Sequence, residues 1–224
     1  MKTDLTIFMT LCNNKPERLC YFKRTVSSFK KYLILSKYSV KWLVGLEPKF
    51  NINKKETEDF CNENNISFYY NPGKDHLASN QNYGLSKCDS DFIFFLQDDY
   101  ECRKQVNLDE GIDFLKSHDD IYVFRYWFAH IKLKNDYIDA KLKIKTFDLN
   151  SGFYYYGDNP HLKKSNYHQF TGPFNENCTS RMTENTMCDT ARRISNKYKI
   201  CAMEDSVGDT YFSHIGGVSS IGDN

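Results

Sequence analysis

Short apolar runs alternate with amphipathic segments along the first half of the chain. The apolar runs are typical of buried strands, and they predict strands at 5–11, 40–46, 66–70 and 91–96. Between them, apolar side chains recur at intervals of three and four, which predicts helices at about 16–33, 54–64 and 76–88. A β-α-β-α-β order predicts parallel strands joined by right-handed crossovers, and therefore an α/β fold.

The pattern is less regular beyond residue 101. A helix is predicted at about 106–117, an aromatic strand at 121–128 and a last helix at about 181–198. Short alternating segments between 129 and 170 predict antiparallel hairpins and loops, and Pro160-His161 predicts a turn. The expected fold is a Rossmann-like, mostly parallel sheet flanked by helices, with a smaller antiparallel C-terminal region. At this length we expect one domain over 1–224.

The run Phe92-Ile-Phe-Phe-Leu96 is followed by Gln97 and two adjacent carboxylates, Asp98 and Asp99. An unbroken apolar run of this kind predicts a strand buried on both faces, as in a parallel sheet. Ligands of open α/β sheets bind outside the carboxyl ends of the strands. Two adjacent carboxylates can be a solvated turn, but at this position they favour a site for a hard divalent cation that bridges a nucleotide diphosphate.

Composition and charge exclude several classes of function. Lys and Arg number 30 against 29 Asp and Glu, so no basic field favours a nucleic-acid partner. The eight cysteines form no C-x-x-C pair, which predicts reduced thiols and a cytoplasmic location. No apolar segment approaches the ~18–20 residues that span a bilayer, so a soluble protein without a transmembrane segment is expected. The glycine-rich phosphate loops of dinucleotide-binding and P-loop proteins are also missing.

Three segments in order carry a family resemblance over about residues 4–101. Thr10-Leu-Cys-Asn-Asn-Lys-Pro-Glu-Arg-Leu19 is similar to a T-x-N-R-P-x-x-L opening segment, Asn80-Gln-Asn-Tyr-Gly-Leu85 resembles an N-x-G-L helix, and 89–99 resembles a strand that ends in an acidic motif. The chain thus resembles the family 2-like glycosyltransferases of GT-A fold. Gln97 stands where many members have the first acidic residue.

The resemblance implies roles for several residues of the first half, a nucleotide-sugar-binding half over 1–101. Asp99 would bind Mn²⁺ (or Mg²⁺), and Asp98 would bind the metal or the donor ribose. The family often has an acidic pair after the second strand, whereas this chain has Glu47-Pro48, so a UDP-sugar and a GDP-sugar both remain open. The donor-binding candidates are Thr10, Arg18, Glu47, Lys74, Asn82 and Asp98. Lys74, with Arg125, His161, Lys163 and Lys164, would contact the diphosphate from a flexible loop or be solvated.

The acceptor-side half, 102–224, offers a base and a third metal ligand. Glu184 falls on the inward stripe of the last helix, where it either interacts with the helix dipole or acts as a general base. It resembles the acidic position that follows a G-P-F-x-E segment in inverting members, matched here by Gly172-Pro-Phe-Asn-Glu176. Glu176 and Asp189 are rivals for that role. His214, in Phe-Ser-His-Ile-Gly, is either a structural residue or, by resemblance, the histidine that closes a metal site.

The resemblance, carried by these residues, implies a metal-dependent glycosyltransferase of hexosyltransferase type that moves a sugar from a nucleotide-sugar donor to a hydroxyl of a carbohydrate or glycan acceptor. Inversion at the anomeric carbon is expected because one candidate base and no evident nucleophile are present. A nucleotidyltransferase that makes a nucleotide sugar is one alternative, but segment 10–18 lacks its glycine-rich basic loop. A non-catalytic module that binds carbohydrate or a partner protein is the other.

Overall fold

A nine-stranded sheet with helices packed against it carries most of the buried side chains. The computed structural model describes residues 2–49, 52–73, 76–128, 132–148 and 156–216, without the side chains of residues 180, 181 and 209. Its strands are β1 (Leu5–Leu11), β2 (Leu33–Ile34), β3 (Val40–Leu46), β4 (Ile66–Tyr70), β5 (Phe92–Gln97), β6 (Tyr100–Cys102), β7 (Val106–Asn107), β8 (Ile121–Arg125), β9 (Leu133–Asp139), β10 (Ile144–Phe147), β11 (His161–Lys164), β12 (Lys199–Met203) and β13 (Phe212–His214). Its α-helices are α1 (Pro16–Tyr32), α2 (Lys54–Glu63), α3 (Leu77–Lys87), α4 (Leu108–Ser117), α5 (Tyr167–Thr171) and α6 (Ser180–Ile194).

The strand order of the large sheet is β4-β3-β1-β5-β11-β8-β12-β10-β9. Strands β4, β3, β1 and β5 are parallel, as the alternating sequence pattern predicts. Strand β11 lies antiparallel between β5 and β8, and β10 lies antiparallel between β12 and β9. The remaining seven strands share one direction, so the predicted mostly parallel α/β sheet is confirmed. Strands β6 and β13 form a separate antiparallel pair.

The two faces of β1 contact different helices because successive side chains of a strand point to opposite faces. Ile7 and Met9 belong to the same buried cluster as Phe22 and Phe29 of α1. Phe8 packs on the other face with Phe95 and with Leu85 of α3. Burial on both faces explains the continuous apolar run of β1, and packing on both faces holds the ends of β1 and β5 in fixed positions.

Two strands that the C-terminal half contributes to the large sheet were not predicted. His161–Lys164 forms β11 in the middle of the sheet, so the prediction of a turn and a flexible loop there is wrong. Lys199–Met203 forms β12, and the last helix ends earlier than predicted, at Ile194. The predicted antiparallel hairpin region is present as β9 and β10. None of the helices in the described ranges has the length and apolar character that crossing a bilayer requires.

Candidate active site

Polar side chains line the carboxyl edge of the parallel strands. Thr10, near the end of β1, is in register with Gly45 of β3 and Gln97 of β5. Glu47 follows β3 directly, is 5% exposed, and accepts a hydrogen bond from the Asn71 side chain at 3.3 Å. Adjacent parallel strands therefore bring Thr10, Glu47 and the acidic pair to one edge, where the sequence predicted a donor site.

Arg18 bridges the two carboxylates that follow β5. Pro16 opens α1, and Arg18 in the first turn is 5% exposed. Its Nη1 donates to Asp99 Oδ2 at 2.9 Å, and its Nη2 forms a short ion pair with Asp98 Oδ1. Thr25 lies about two turns further along the same face of α1, and its hydroxyl donates to the Asp98 main-chain carbonyl at 2.9 Å. The start of α1 and the end of β5 are thus tied by buried charge-assisted hydrogen bonds.

The two carboxylates differ in their electrostatic surroundings. Burial raises the pKa of Asp98 to about 7, and the neighbouring charge of Asp99 acts in the same direction against Arg18. Burial also opposes ionisation of Asp99, but the hydrogen bond from His214 and the charge of Arg18 lower its pKa below the usual value. Of the two carboxylates, Asp99 therefore loses its proton at the lower pH.

The C-terminal strand β13 brings His214 to Asp99. Antiparallel pairing with β6 sets His214 opposite Tyr100, and the His214 Nε2 atom lies 3.2 Å from Asp99 Oδ2. The main-chain N–H of Ile215 donates to the Asp99 carbonyl at 2.8 Å. A side chain at Gly216 would begin 2.9 Å from the Asp99 Cβ atom, so the chain can pass this close only with glycine. The predicted approach of His214 to the acidic pair is thus present in the structure.

The donor atoms at this position suit a hard divalent cation. Asp98 Oδ2 and Asp99 Oδ1 are buried and accept no hydrogen bond from the described residues. Carboxylate oxygens and an imidazole nitrogen are acceptable ligands for Mn²⁺ or Mg²⁺. No three His, Cys, Asp or Glu side chains within the described ranges are already arranged around a common metal position. The donor atoms of Asp98, Asp99 and His214 are therefore of the kind that these metals bind. In this structure the Arg18 guanidinium supplies the positive charge beside the two carboxylates.

Glu184 lies in the first half of α6 beside the loop that leads into β11. Its Oε1 accepts a hydrogen bond from the main-chain N–H of Asp158 at 3.1 Å. A side chain at Gly157 would begin 3.1 Å from the same oxygen. The adjacent Asn159 accepts a short hydrogen bond from Tyr100, whose ring contacts the His214 ring at 5.2 Å between centroids. A continuous set of contacts therefore links Glu184 to the Asp99–His214 pair.

The two rivals of Glu184 have different environments. The Asp189 side chain is 72% exposed and pairs with Arg192 at 3.7 Å on the outer face of α6. Glu176 Oε1 accepts from Asn82 Nδ2 at 2.7 Å, and Asn82 also exchanges hydrogen bonds with the main chain of Phe174. Asn82 thus holds the 172–176 segment with both of its side-chain polar atoms. Of the three carboxylates, the described contacts bring only Glu184 to the loop beside β11.

Four of the basic residues predicted in a flexible loop lie instead in strands of the sheet, Arg125 in β8 and His161, Lys163 and Lys164 in β11. Arg125 is 1% exposed, and His161 and Lys163 are fully buried. Lys163 Nζ donates to the Tyr156 hydroxyl at 3.0 Å and to His168 Nε2 at 2.8 Å, and burial lowers its pKa to about 7. Lys74 falls outside the described residues.

Gln81 and Asp158 were not predicted as site residues. Gln81 is fully buried on α3 and Asp158 is 4% exposed, and Gln81 Nε2 donates to Asp158 Oδ2 at 2.7 Å. The only sequence signal was the position of Gln81 between the two asparagines of the Asn80–Leu85 motif. Asp158 sits in a Gly-Asp-Asn-Pro stretch that reads as an ordinary turn.

Comparison of the sequence with protein-family models identifies one family. The model described as "Glycosyl transferase family 2" matches residues 52–184, which is more than half of the 224 residues. The chain belongs to glycosyl transferase family 2. The predicted resemblance to the family 2-like glycosyltransferases is thereby confirmed. A search of curated proteins by sequence gives no significant match.

Solved glycosyltransferase structures share the fold. S. aureus TarS, residues 1–349, superposes with a TM-score of 0.64 at 15% identity over 94% of this chain and 60% of that one. GalNAc-T7, solved with UDP, GalNAc and Mn²⁺, superposes with a TM-score of 0.68 at 11% identity over 98% of this chain and 45% of that one. TarS 1–349 has also been solved with UDP and with UDP-GlcNAc. The family 2 chain described here spans less than two thirds of either protein, and these likenesses establish the GT-A fold.

Proposed function

We propose that this family 2 chain transfers a sugar from a nucleoside-diphosphate sugar to a hydroxyl group of a carbohydrate acceptor. UDP is the first nucleoside diphosphate to test. The observation that carries the proposal is the meeting of Asp98, Asp99 and His214 at the carboxyl edge of β5. UDP in the TarS and GalNAc-T7 structures supports the donor class. The eight unpaired cysteines support a reducing, cytoplasmic setting.

The donor side of the site is assigned to residues of 1–101. Thr10, Arg18 and Glu47 line the edge along which a nucleoside diphosphate would lie, and Lys74 is kept as a candidate diphosphate contact. Asp99, Asp98 and His214 would hold Mn²⁺ or Mg²⁺, which neutralises the leaving diphosphate when bound. Arg18 would orient the same two carboxylates before the donor arrives.

The acceptor side is assigned to residues of 102–224, with Glu184 as the general base. Glu184 would take the proton of the acceptor hydroxyl as that oxygen attacks the anomeric carbon. The bond from the anomeric carbon to the diphosphate breaks on the opposite face, so the configuration inverts. The Asp158 N–H that donates to Glu184 Oε1 fixes the orientation of the carboxylate. A positioned base of this kind contributes roughly 10²–10⁴-fold to the rate.

Calorimetry and turnover on the same sample test the proposal. UDP and GDP are titrated with and without Mn²⁺, and a panel of UDP- and GDP-sugars is assayed for hydrolysis and transfer. We expect Asp99→Asn to lose metal-dependent nucleotide binding and Glu184→Gln to keep binding while turnover falls by about 10²–10⁴-fold.

Each variant has a matched control on its own element. Asp91→Asn removes an exposed carboxylate at the other end of β5, where it pairs with Lys2. Asp189→Asn removes the exposed carboxylate of α6. Both controls should behave as wild type. Nucleotide binding without any sugar transfer would refute the glycosyltransferase mechanism, and equal loss in Glu184→Gln and Asp189→Asn would refute the assignment of the base.

A further inference from the structure

Gln81 and Asp158 form a buried amide–carboxyl pair with unmatched hydrogen-bonding groups. Gln81 Nε2 donates to Asp158 Oδ2 at 2.7 Å, while Gln81 Oε1 and Asp158 Oδ1 are both buried acceptors without a donor among the described residues. A buried acceptor without a partner costs about 1–3 kcal/mol. A proton on Asp158 Oδ1 would make that oxygen a donor, and Gln81 Oε1, on the other member of the same pair, is an acceptor that lacks one. Together with the Nε2–Oδ2 hydrogen bond, that second bond would close a cyclic pair.

The pair is in direct contact with the candidate base. The main-chain N–H of Asp158 donates to Glu184 Oε1 at 3.1 Å, and Gly157 adds no side chain that would separate them. Gln81 belongs to α3 and Glu184 to α6, so the cyclic pair connects two helices through the loop that carries Asp158. A neutral Asp158 also places no second negative charge beside the Glu184 carboxylate.

The groups around Asp158 are compatible with a neutral acid. Burial raises the pKa of Asp158 to about 7, and the Glu184 charge from α6 acts in the same direction. The Gln81 hydrogen bond, Lys163 of β11 and Arg125 of β8 act in the opposite direction. Lys163 forms hydrogen bonds with Tyr156 and His168, and its own pKa is lowered to about 7 by burial.

We propose that Asp158 is a protonated positioning residue, held in a cyclic hydrogen-bonded pair with the Gln81 amide, and that this pair orients Glu184 toward the acceptor hydroxyl. The positioning part rests on the proposed function, whereas the protonation of Asp158 does not. Asparagine at 158 reproduces the cyclic pair without a titrating proton, because its amide donates to Gln81 Oε1 and accepts from Gln81 Nε2. Leucine at either position abolishes the pair.

The first measurement does not require activity. Infrared difference spectra of wild type against Asp158→Asn at pH 6 should show the loss of one protonated-carboxyl carbonyl band. Loss of an ionised-carboxylate band instead would overturn the proposal. This readout separates a failure of the proton assignment from a failure of the glycosyltransferase assignment.

The second measurement is donor turnover as a function of pH. Asp158→Asn should keep kcat within about tenfold of wild type, while Gln81→Leu and Asp158→Leu should lose about 10²-fold in kcat with the donor KM unchanged, as expected when a catalytic group is misplaced. Wild-type kcat should decline as the pH rises through about 7, where Asp158 ionises, and Asp158→Asn should lack that decline. A folded Asp158→Asn that is as inactive as Asp158→Leu would overturn the proposal.

Discussion

Replacing Arg18 with methionine should destabilise the protein and at the same time strengthen its response to metal. The Arg18 side chain is 6% exposed, and it pairs with the side chains of Asp98 and Asp99, which are 5% and 11% exposed. Removing one partner of a buried ion pair typically costs about 3–5 kcal/mol, because the remaining charges lose their compensation. Two charge-assisted hydrogen bonds of about 1.5–3 kcal/mol each give a similar figure. The expected loss in Tm is about 6–20 °C for a chain of this size.

The metal response follows from the same geometry. Arg18 pairs with Asp98 Oδ1 and Asp99 Oδ2 in this structure, so a cation at the two remaining carboxylate oxygens would bind beside the guanidinium charge, which weakens its affinity. At a Mn²⁺ concentration of about one hundred times the Kd of Arg18→Met, the unfolding free energy of that variant should rise by about 2.7 kcal/mol. Wild type, with the guanidinium charge in place and therefore a higher Kd, should gain less at the same concentration. We therefore expect a larger Mn²⁺-induced shift in Tm for Arg18→Met than for wild type.

Differential scanning fluorimetry with a Mn²⁺ titration measures both effects. Arg24→Met is the matched control, since Arg24 lies on the same helix and pairs with Glu101 at 3.2 Å as a largely exposed ion pair. Such a pair contributes about 0–1 kcal/mol. Equal melting temperatures for the two variants, or equal Mn²⁺ shifts for Arg18→Met and wild type, would refute this reading of the acidic pair.

Three further expectations concern pH, the C-terminal segment and the thiols. Burial and the charge of Lys163 hold the pKa of His161 well below its usual value, so below pH 6.5 the unfolded chain binds a proton that the folded chain excludes. The unfolding free energy therefore decreases as the pH is lowered from 6.5 to 5, and chemical denaturation of His161→Phe should show a smaller decrease over that range. Gly216→Ala should displace Asp99 and lower Mn²⁺-dependent nucleotide binding while Tm changes little, and unchanged binding would contradict the close approach. Cys20 is exposed, whereas burial raises the pKa of Cys102 to about 12; a thiol reagent followed by mass spectrometry should modify Cys20 first, and Cys20→Ser should abolish that fast phase.

The part of the fold that follows from the sequence is the part with strong periodicity. The strands at Leu5–Leu11, Val40–Leu46 and Ile66–Tyr70 have the predicted bounds, because each is a run rich in the apolar and aromatic residues that favour strands. Strand His161–Lys164 has no such run. Its Lys163 side chain is buried, with hydrogen bonds to Tyr156 and His168 and a contact with the Phe95 ring. Only the tertiary structure supplies these partners.

The candidate site divides in a similar way. Asp98 and Asp99 follow a strand that the apolar run in the sequence predicts, and the His214 side chain lies 3.2 Å from Asp99. The Gln81–Asp158 pair was not predictable, because its two members are 77 positions apart and neither stands in a distinctive motif. The roles of these residues in binding and catalysis remain predictions.

His214 is held in place by the residue two positions before it. The Phe212 ring is fully buried and stacks on Phe29 with 5.1 Å between the ring centroids, so an aromatic side chain anchors β13 to the core in addition to the pairing with β6. Withdrawing such a ring into water costs about 1.5–3 kcal/mol, far less than unfolding the sheet. A local opening equilibrium that withdraws His214 must also break the pairing with β6 and the contacts with Asp99, so its cost exceeds that of the ring and its open fraction should lie below about one in ten. Hydrogen exchange at the Ile215 amide, which donates to Asp99, would report that equilibrium while the sheet stays folded.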